Sequence, residues 1–348
     1  MANTKISQLP SYTGTAADLR WFVMNNSGET TTFKFSGYTS QYIPGSGQYS
    51  IRHYTNTAAH AAGNYTTILG DTSNNSTSDY TFIGGGINNN VESPLGGVVG
   101  GNGNTASYKG FVGGGQSNYA NGNAVAIIGG ESNYCGNNYC GGIFEGIQNK
   151  LYGGNDLGFG IFGGYVNTIA SNGGQGITII GGSTNRIRNF DSSGEARLNY
   201  GSILGGFNNF IGYNPSAGGG DNSGMNAYPS IINGYNNQIL GGDIATAPYY
   251  RNYYSHISNS KNCIISGGTT GATIIGCVDT IVDGGKVNAV MIGTSGKTAV
   301  ASNSTHLEAL VLMTPLTEYA NNTAAKAGGL VDGQLYRDNS GAIHIVFT

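Results

Sequence analysis

The sequence predicts an all-β protein whose central part is a parallel β-solenoid, a β-roll or β-helix in which each short repeat forms one coil. Three observations lead to this fold class: a short phrase recurs at nearly constant spacing, 61 of 348 residues are glycine, and only 9% are charged. A period this short is typical of solenoids, in which each repeat contacts only its neighbours. The glycines are expected at the corners of the coils, where the chain needs positive φ.

The recurring phrase contains two apolar residues, two glycines, two variable residues and an asparagine. Clear copies span Val98–Asn104, Ile127–Asn133 and Ile179–Asn185. We expect the apolar pair to form one strand of each coil and the residues after the asparagine to form the second. The phrase assigns the repeated asparagine to Asn74, Asn89, Asn104, Asn118, Asn133, Asn149, Asn167, Asn185, Asn209, Asn237 and Asn262, with Asp279 in the twelfth position.

The repeated asparagines are interpreted as a structural ladder rather than as an ion-binding site. Stacked asparagine side chains form hydrogen bonds between coils and stabilise turn conformations. The predicted ladder residues are Asn104, Asn118, Asn133, Asn149, Asn167 and Asn185. The cysteines and histidines show neither metal-ligand spacing nor the order of a catalytic triad. We therefore predict no metal site, no cofactor and no catalytic residue.

The chain is predicted to have three parts. Residues 1–45 carry no repeat and are expected to form a small β unit. Residues 46–300 form the solenoid, with insertion loops at 190–255 that project from one face. Residues 301–348 form a C-terminal β-hairpin tip that turns at Asp338–Gly341. Twelve coils stacked at about 4.8 Å extend over roughly 55–60 Å.

The charge and hydropathy patterns exclude several classes of function. The net charge is −3 and there is no basic run, which argues against nucleic-acid binding. The longest apolar stretch is too short and interrupted for a membrane span, so no membrane insertion is expected. No secretory signal pattern is visible, and we expect assembly in a bacterial cytoplasm.

The array between Thr66 and Gly293 resembles the head repeats of YadA-like trimeric adhesins, with a short apolar strand followed by glycine in each coil. The resemblance implies a left-handed parallel β-roll and three chains packed about a threefold axis. This sequence uses Gly-Gly and Asn more heavily and has longer late insertions. A homotrimer is also expected from the residues, because one apolar row per coil offers too little core for a single chain.

The two ends resemble bacteriophage proteins. Lys5–Pro10 and Ala16–Leu19 resemble the start of many phage fibre and baseplate-associated proteins, and Ala324–Val331 with Gly333–Asp338 is similar to a C-terminal signature of phage structural proteins. The resemblance implies a head or tail fibre displayed on the virion surface. It also implies attachment to other virion proteins (capsid, portal or tail) through the N-terminal region.

Aromatic residues in the insertions suggest a ligand-binding surface. The candidates are Tyr249, Tyr250, Arg251, Tyr253 and Tyr254. Tyrosine rings stack on sugar faces while Arg251 hydrogen-bonds hydroxyls, so we expect non-catalytic adhesion to a host-surface glycan or protein. Packing of these rings between coils or protomers is the structural alternative.

Three other functions remain open at this point. These are a purely structural capsid or tail decoration fibre, a polysaccharide-degrading tailspike and a bacterial surface adhesin. A tailspike needs two carboxylates beside one glycosidic bond, for which Glu131 with Glu145, or Asp279 with Asp283, are the available pairs.

Overall fold

The structure, a computed structural model, confirms the all-β solenoid. It describes residues 42–44, 51–53, 60–61, 63–69, 73–136, 141–153, 158–171, 175–189, 198–213, 226–241, 254–266, 269–283, 285–308 and 316–347. Nearly all of the predicted N-terminal β unit and several insertions lie outside these residues. The described residues divide into a solenoid unit ending at His306 and a second unit beginning at Leu307.

Two long sheets form the solenoid unit, and the chain alternates between them. Among the described residues, the first sheet, called sheet A, has 16 strands: Tyr42–Pro44, Ile51–His53, Thr67–Ile68, Phe82–Ile83, Gly97–Val98, Phe111–Val112, Val125–Ile127, Gly141–Ile143, Phe159–Phe162, Thr178–Ile180, Ser202–Leu204, Ser230–Tyr235, His256–Lys261, Thr273–Ile275, Val290–Ile292 and Thr305–Leu307. The second, sheet B, has 13 in the same part of the chain: His60–Ala61, Asn75–Ser76, Asn90–Val91, Thr105–Ser107, Tyr119–Asn121, Tyr134–Gly136, Lys150–Tyr152, Thr168–Ser171, Arg186–Asn189, Phe210–Tyr213, Gln238–Gly241, Ile264–Ile265 and Ile281–Val282.

Successive coils pair in parallel and in register. In sheet A, Ile127 pairs with Ile143, which pairs with Ile161 in the following coil. A third side is formed by single-residue bridges from coil to coil, such as Gln116 with Glu131, at a position that lies between the two strands along the chain. Equivalent positions of neighbouring coils therefore lie about 4.8 Å apart.

The core is a column of inward-facing side chains from both sheets. Ile127 and Ile143 from sheet A, and Cys135 and Leu151 from sheet B, are completely buried. Of each apolar pair, the first residue points inward and the second points outward, as in Ile127 and Ile128. The premise that one chain cannot bury its apolar row is therefore wrong, and the apolar residues left for contact with another chain are the outward ones.

The second glycine of each Gly-Gly pair is required by geometry. Gly130 has φ 89°, and a Cβ placed on it would lie 2.1 Å from the carbonyl oxygen of Gly146 in the next coil. A Cβ on Gly129 would meet nothing within 4 Å. At this corner only the second position therefore excludes a side chain.

The second unit is small and contains both a helix and a hairpin. The helix Asn322–Ala327 begins at Asn321, whose side chain accepts a hydrogen bond from the backbone N–H of Ala324. The strands Leu335–Arg337 and Ile343–Ile345 pair antiparallel. Between them Asp338 accepts hydrogen bonds from Ser340 and His344, and these bonds hold the pKa of Asp338 well below its ordinary value.

In the described part of the chain, no helix has the length and hydropathy that crossing a membrane requires.

Candidate functional site

The three long insertions leave and re-enter the solenoid at one corner, between a strand of sheet B and the next strand of sheet A. The described chain breaks off after Asn189, Tyr213 and Gly241, and it resumes at Leu198, Asn226 and Tyr254. Because the coils stack in register, the three return points lie one above another. The interiors of the insertions, including Tyr249, Tyr250, Arg251 and Tyr253, lie outside the described residues.

Three tyrosines at these return points form a continuous stack. The ring centroids of Tyr200 and Tyr228 are 5.0 Å apart with planes inclined by 6°. Those of Tyr228 and Tyr254 are 5.1 Å apart with planes inclined by 5°. The exposed fractions are 46% for Tyr200, 47% for Tyr228 and 64% for Tyr254. We call these three residues the tyrosine stack; of the five residues predicted to bind a ligand, it contains Tyr254.

The backbone of the tyrosine stack is in the left-handed region, with φ of 55° at Tyr200, 57° at Tyr228 and 53° at Tyr254. Glycine occupies the same corner position in neighbouring coils, as Gly176 with φ 60° and Gly271 with φ 66°. A left-handed conformation costs an L-residue about 1–2 kcal/mol. Leu95, Lys109 and Ala124 take the same conformation at this corner in other coils, so the corner accepts a side chain and the tyrosines are distinguished by their stacking.

The stack has defined neighbours on both sides. A Cβ on Gly176 would lie 2.6 Å from the Cδ1 atom of Tyr200, so that ring lies over the glycine backbone. In the coil that follows Tyr254, the same position is Gly271. The stack thus coincides with the three coils that carry the long insertions.

The returning ends of two insertions are fixed beside the stack. Leu198–Asn199 pairs in parallel with Asn226–Ala227, directly before Tyr200 and Tyr228. The hydroxyl of Tyr200 lies 3.4 Å from Oε1 of Gln175. The base of the insertions is therefore part of the regular structure of the solenoid.

A shorter stack of the same geometry lies far from the long insertions. Tyr65 and Tyr80 occupy the same corner position, with φ of 56° each, and their rings are 4.9 Å apart and inclined by 5°. These two residues provide an internal comparison for the tyrosine stack.

The ligand candidates named from the sequence include Tyr254 but neither Tyr200 nor Tyr228. Tyr235 lies on another side of the coil, where it stacks on Phe207 at 5.4 Å and has the Lys261 ammonium 5.9 Å from its ring centroid. A spacing common to all corner tyrosines, three residues before the buried isoleucine of sheet A, would have identified Tyr200. This spacing relates Tyr200 to Ile203, Tyr228 to Ile231 and Tyr254 to Ile257.

The repeated asparagines form a buried hydrogen-bonded column. Asn104 Oδ1 accepts the backbone N–H of Asn118, while Asn118 Nδ2 donates to the carbonyl oxygens of Gly114 and Gly130. Equivalent bonds run along the column to Asn237, whose Oδ1 accepts the backbone N–H of Cys263. Each interior amide is engaged by the protein itself, which is the arrangement of a structural ladder. The predicted ladder residues are completely buried or nearly so.

The last two positions assigned from the phrase are wrong by one residue. Cys263 and Thr280 continue the buried column, whereas Asn262 and Asp279 precede them and point outward. Asn262 Nδ2 donates to Asp279 Oδ1 at 2.8 Å in a separate, solvent-facing row. In the same two coils, Ser260 and Cys277 stand where other coils have the second glycine. With no asparagine amide beside it, this position has space for a side chain.

Titratable groups in the described residues do not assemble into a cluster of three or more His, Cys, Asp or Glu side chains that could hold a metal ion. Burial raises the pKa of the Cys135 thiol to about 12. Among the acids considered for hydrolysis, Glu131 occupies a bridge position beside Ile147, and Asp279 is hydrogen-bonded to Asn262.

Comparison of the chain with protein families, curated proteins and solved structures finds no match.

Proposed function

We propose that the chain is a structural fibre protein of a bacteriophage virion, from the head or the tail, and that it binds the bacterial host surface without catalysis. The observation that carries the proposal is the tyrosine stack at the corner where three successive insertions return. The solenoid supplies a rigid periodic support, and the insertions supply the variable surface that recognition needs.

The ligand we propose is a glycan of the host surface. Tyr200, Tyr228 and Tyr254 offer large, amphipathic rings whose hydroxyls form a row with a spacing of about 5 Å, as the coil rise requires. Because the rings cover one another's faces, the stack presents ring edges and hydroxyls, which hydrogen-bond sugar hydroxyls and lose little conformational entropy on binding. Tyr249, Tyr250, Arg251 and Tyr253 of the third insertion remain candidate ligand residues from the sequence.

We further propose a homotrimer that is assembled in the cytoplasm of the infected cell and displayed on the virion. Attachment to capsid, portal or tail is assigned to the N-terminal region by the resemblance of its sequence. The outward apolar residues of sheet A support association between chains, since an extended apolar surface on a soluble protein normally has a partner.

The function is tested with a triple variant, Tyr200→Gly, Tyr228→Gly and Tyr254→Gly. Glycine suits the left-handed corner, so the solenoid is expected to keep its circular dichroism spectrum and its thermal stability. Binding to bacterial cells and to arrayed surface glycans is expected to fall at least tenfold. The matched control, Tyr65→Gly with Tyr80→Gly, changes the same corner position away from the long insertions and is expected to bind normally.

Three outcomes would redirect the proposal. Unchanged binding by the triple variant, and by a deletion of residues 242–253, favours a decoration fibre. Release of reducing sugar from a host capsule favours a tailspike. Mass spectrometry that finds the chain in a bacterial envelope and not in purified virions favours a surface adhesin.

A further inference from the structure

Two outward-facing columns of sheet A are uncharged in the described coils from Thr67 to Ile292. In each coil, the residues immediately before and after the buried strand residue point outward, and we call these two columns the outer face of sheet A. The first column is Thr67, Phe82, Gly97, Phe111, Ala126, Gly142, Gly160, Thr178, Ser202, Ser230, His256, Thr273 and Val290. The second is Leu69, Gly84, Val99, Gly113, Ile128, Phe144, Phe162, Ile180, Leu204, Ile232, Ser258, Ile275 and Ile292. Neither column contains an Asp, Glu, Lys or Arg.

In nearly every coil one column holds a large residue and the other a small one. Which of the two columns holds the large residue differs from coil to coil. In all of these coils except the one with Val290 and Ile292, one residue is Gly, Ala, Ser or Thr and the other is larger. Where the large residue moves to the first column, as Phe82, the second column has Gly84. Each of these layers therefore carries one large and one small residue rather than two large ones. A surface that faces water sets no such limit, whereas a surface packed against a partner at fixed distance does.

Contacts within one chain explain only part of this exchange. The ring of Phe162 lies over Gly160, where a Cβ would be 2.8 Å from Cε2, and Phe82 approaches Gly84 similarly. The same exchange nevertheless holds for Ile128 with Ala126, where no ring is present. Nine of the large residues of this face remain exposed in the single chain, from 48% at Val99 to 38% at Ile292, and the other large residues are partly exposed.

The dimensions of the face fit a protein–protein interface. Thirteen layers at about 4.8 Å span about 58 Å, and a strip roughly 12 Å wide then has an area of roughly 700 Å². Stable interfaces bury about 800 Å² on each partner. A partner must also match a period of about 4.8 Å over this length, and a second copy of the chain has the same period and the same sequence of large and small layers.

We propose that copies of this chain pack through the outer face of sheet A, with their solenoid axes parallel and equal coils at equal height. Cyclic symmetry about an axis parallel to the solenoid places each layer beside the same layer of its neighbour. An antiparallel pair would instead set unrelated layers against each other. The inference depends on the proposed function only in requiring self-association.

Disulfide cross-linking at two heights tests both the face and the register. One variant carries Ala126→Cys with Ile128→Cys, and the other carries Thr273→Cys with Ile275→Cys, seven layers or about 34 Å further along. Both are made in a Cys140→Ser background. Under mild oxidation each is expected to give chains linked to one another in a non-reducing gel. When the two variants are mixed in one assembly, no disulfide is expected between a chain of one variant and a chain of the other.

The control is Thr168→Cys on the outward side of sheet B, which is expected to remain unlinked. Sedimentation of the unmodified protein measures self-association independently. A monomer would overturn both the proposed interface and the proposed homotrimer. An oligomer that forms no disulfide at either height, or only at one, would overturn the proposed face, and disulfides between unlike variants would overturn the register. None of these outcomes bears on the fibre function, which the binding experiment tests.

Discussion

The side-chain Nδ2 of Asn118 donates a hydrogen bond of 2.9 Å to the carbonyl oxygen of Gly130 in the following coil. The same amide occupies the space next to Gly115, where a Cβ would come within 2.7 Å of it. The asparagine and the second glycine of a coil are therefore one unit of structure. Their loss in the same two coils, those of Cys263 and Thr280, follows from that dependence.

Replacement of Asn118 by alanine is expected to lower the free energy of unfolding by about 2–4 kcal/mol. The change removes the acceptor of the Asn133 backbone N–H and the donor to two carbonyl oxygens, and each buried group left unpaired costs about 1–3 kcal/mol. Denaturant titration followed by circular dichroism measures the difference. Asn75→Ala, which removes an outward hydrogen bond to Asn90, is the control and should cost less than about 1 kcal/mol. Equal losses in the two variants would contradict the structural role of the buried column.

The two glycines of one corner should respond differently to alanine. Gly130→Ala places a Cβ against the Gly146 carbonyl at positive φ, and we expect a loss of more than about 3 kcal/mol or failure to fold. Gly129→Ala has open space and should change stability by less than about 1 kcal/mol. Thermal melting of the two variants provides the comparison. A similar melting temperature for both would show that the corner is less constrained than its geometry indicates.

Acidification should weaken the solenoid through His256. Burial lowers the pKa of His256 below its ordinary value of 6.5, and its ring is hydrogen-bonded to Ser230. The unfolded chain therefore takes up the proton more readily, and stability falls as the pH drops below about 6.5. In the proposed assembly this side chain lies in the uncharged face, so the oligomer should weaken in the same range. Denaturation midpoints and sedimentation at pH 8 and pH 5 measure both effects, and His256→Gln should lose this part of the pH dependence.

Cys135 should resist thiol reagents as long as the chain is folded. Its pKa is raised to about 12 by burial, and the reactive thiolate is therefore scarce at pH 8. Alkylation followed by mass spectrometry is expected to modify Cys135 only in denaturant. Thr168→Cys on the outward side of sheet B should react in the folded state. Rapid modification of native Cys135 would mean that the solenoid opens locally.

Much of the fold could be predicted because the repeat is short and nearly regular. Ile127, Gly130 and Asn133 recur in fixed order, and each has one role in the coil: core, corner and ladder. The assignment failed where the order is kept but the residue types change, at Cys263 and Thr280. The repeat position was therefore assigned to the neighbouring Asn262 and Asp279, although these residues lie one position earlier in the chain and face solvent.

The candidate site was only partly predictable. Tyr254 was identified by its place in an aromatic run, but its stacking on Tyr228 and Tyr200 depends on the register of coils separated by long insertions. Sequence distance hides this relationship, since Tyr200 and Tyr254 are 54 residues apart and yet two layers apart. The inward direction of the first apolar residue, and hence the self-sufficient core, likewise required the structure.

The column from Asn104 to Asn149 also has an evolutionary consequence. Because each coil bonds only to the coil before and after it, a duplicated segment of about 15 residues can join the array without altering any other contact. Unequal recombination between neighbouring repeats would then change reach in steps of about 4.8 Å while leaving both ends of the gene intact. Natural variants of such a chain are expected to differ by whole coils, with the sequence between Asn104 and Asn149 as the most readily duplicated part.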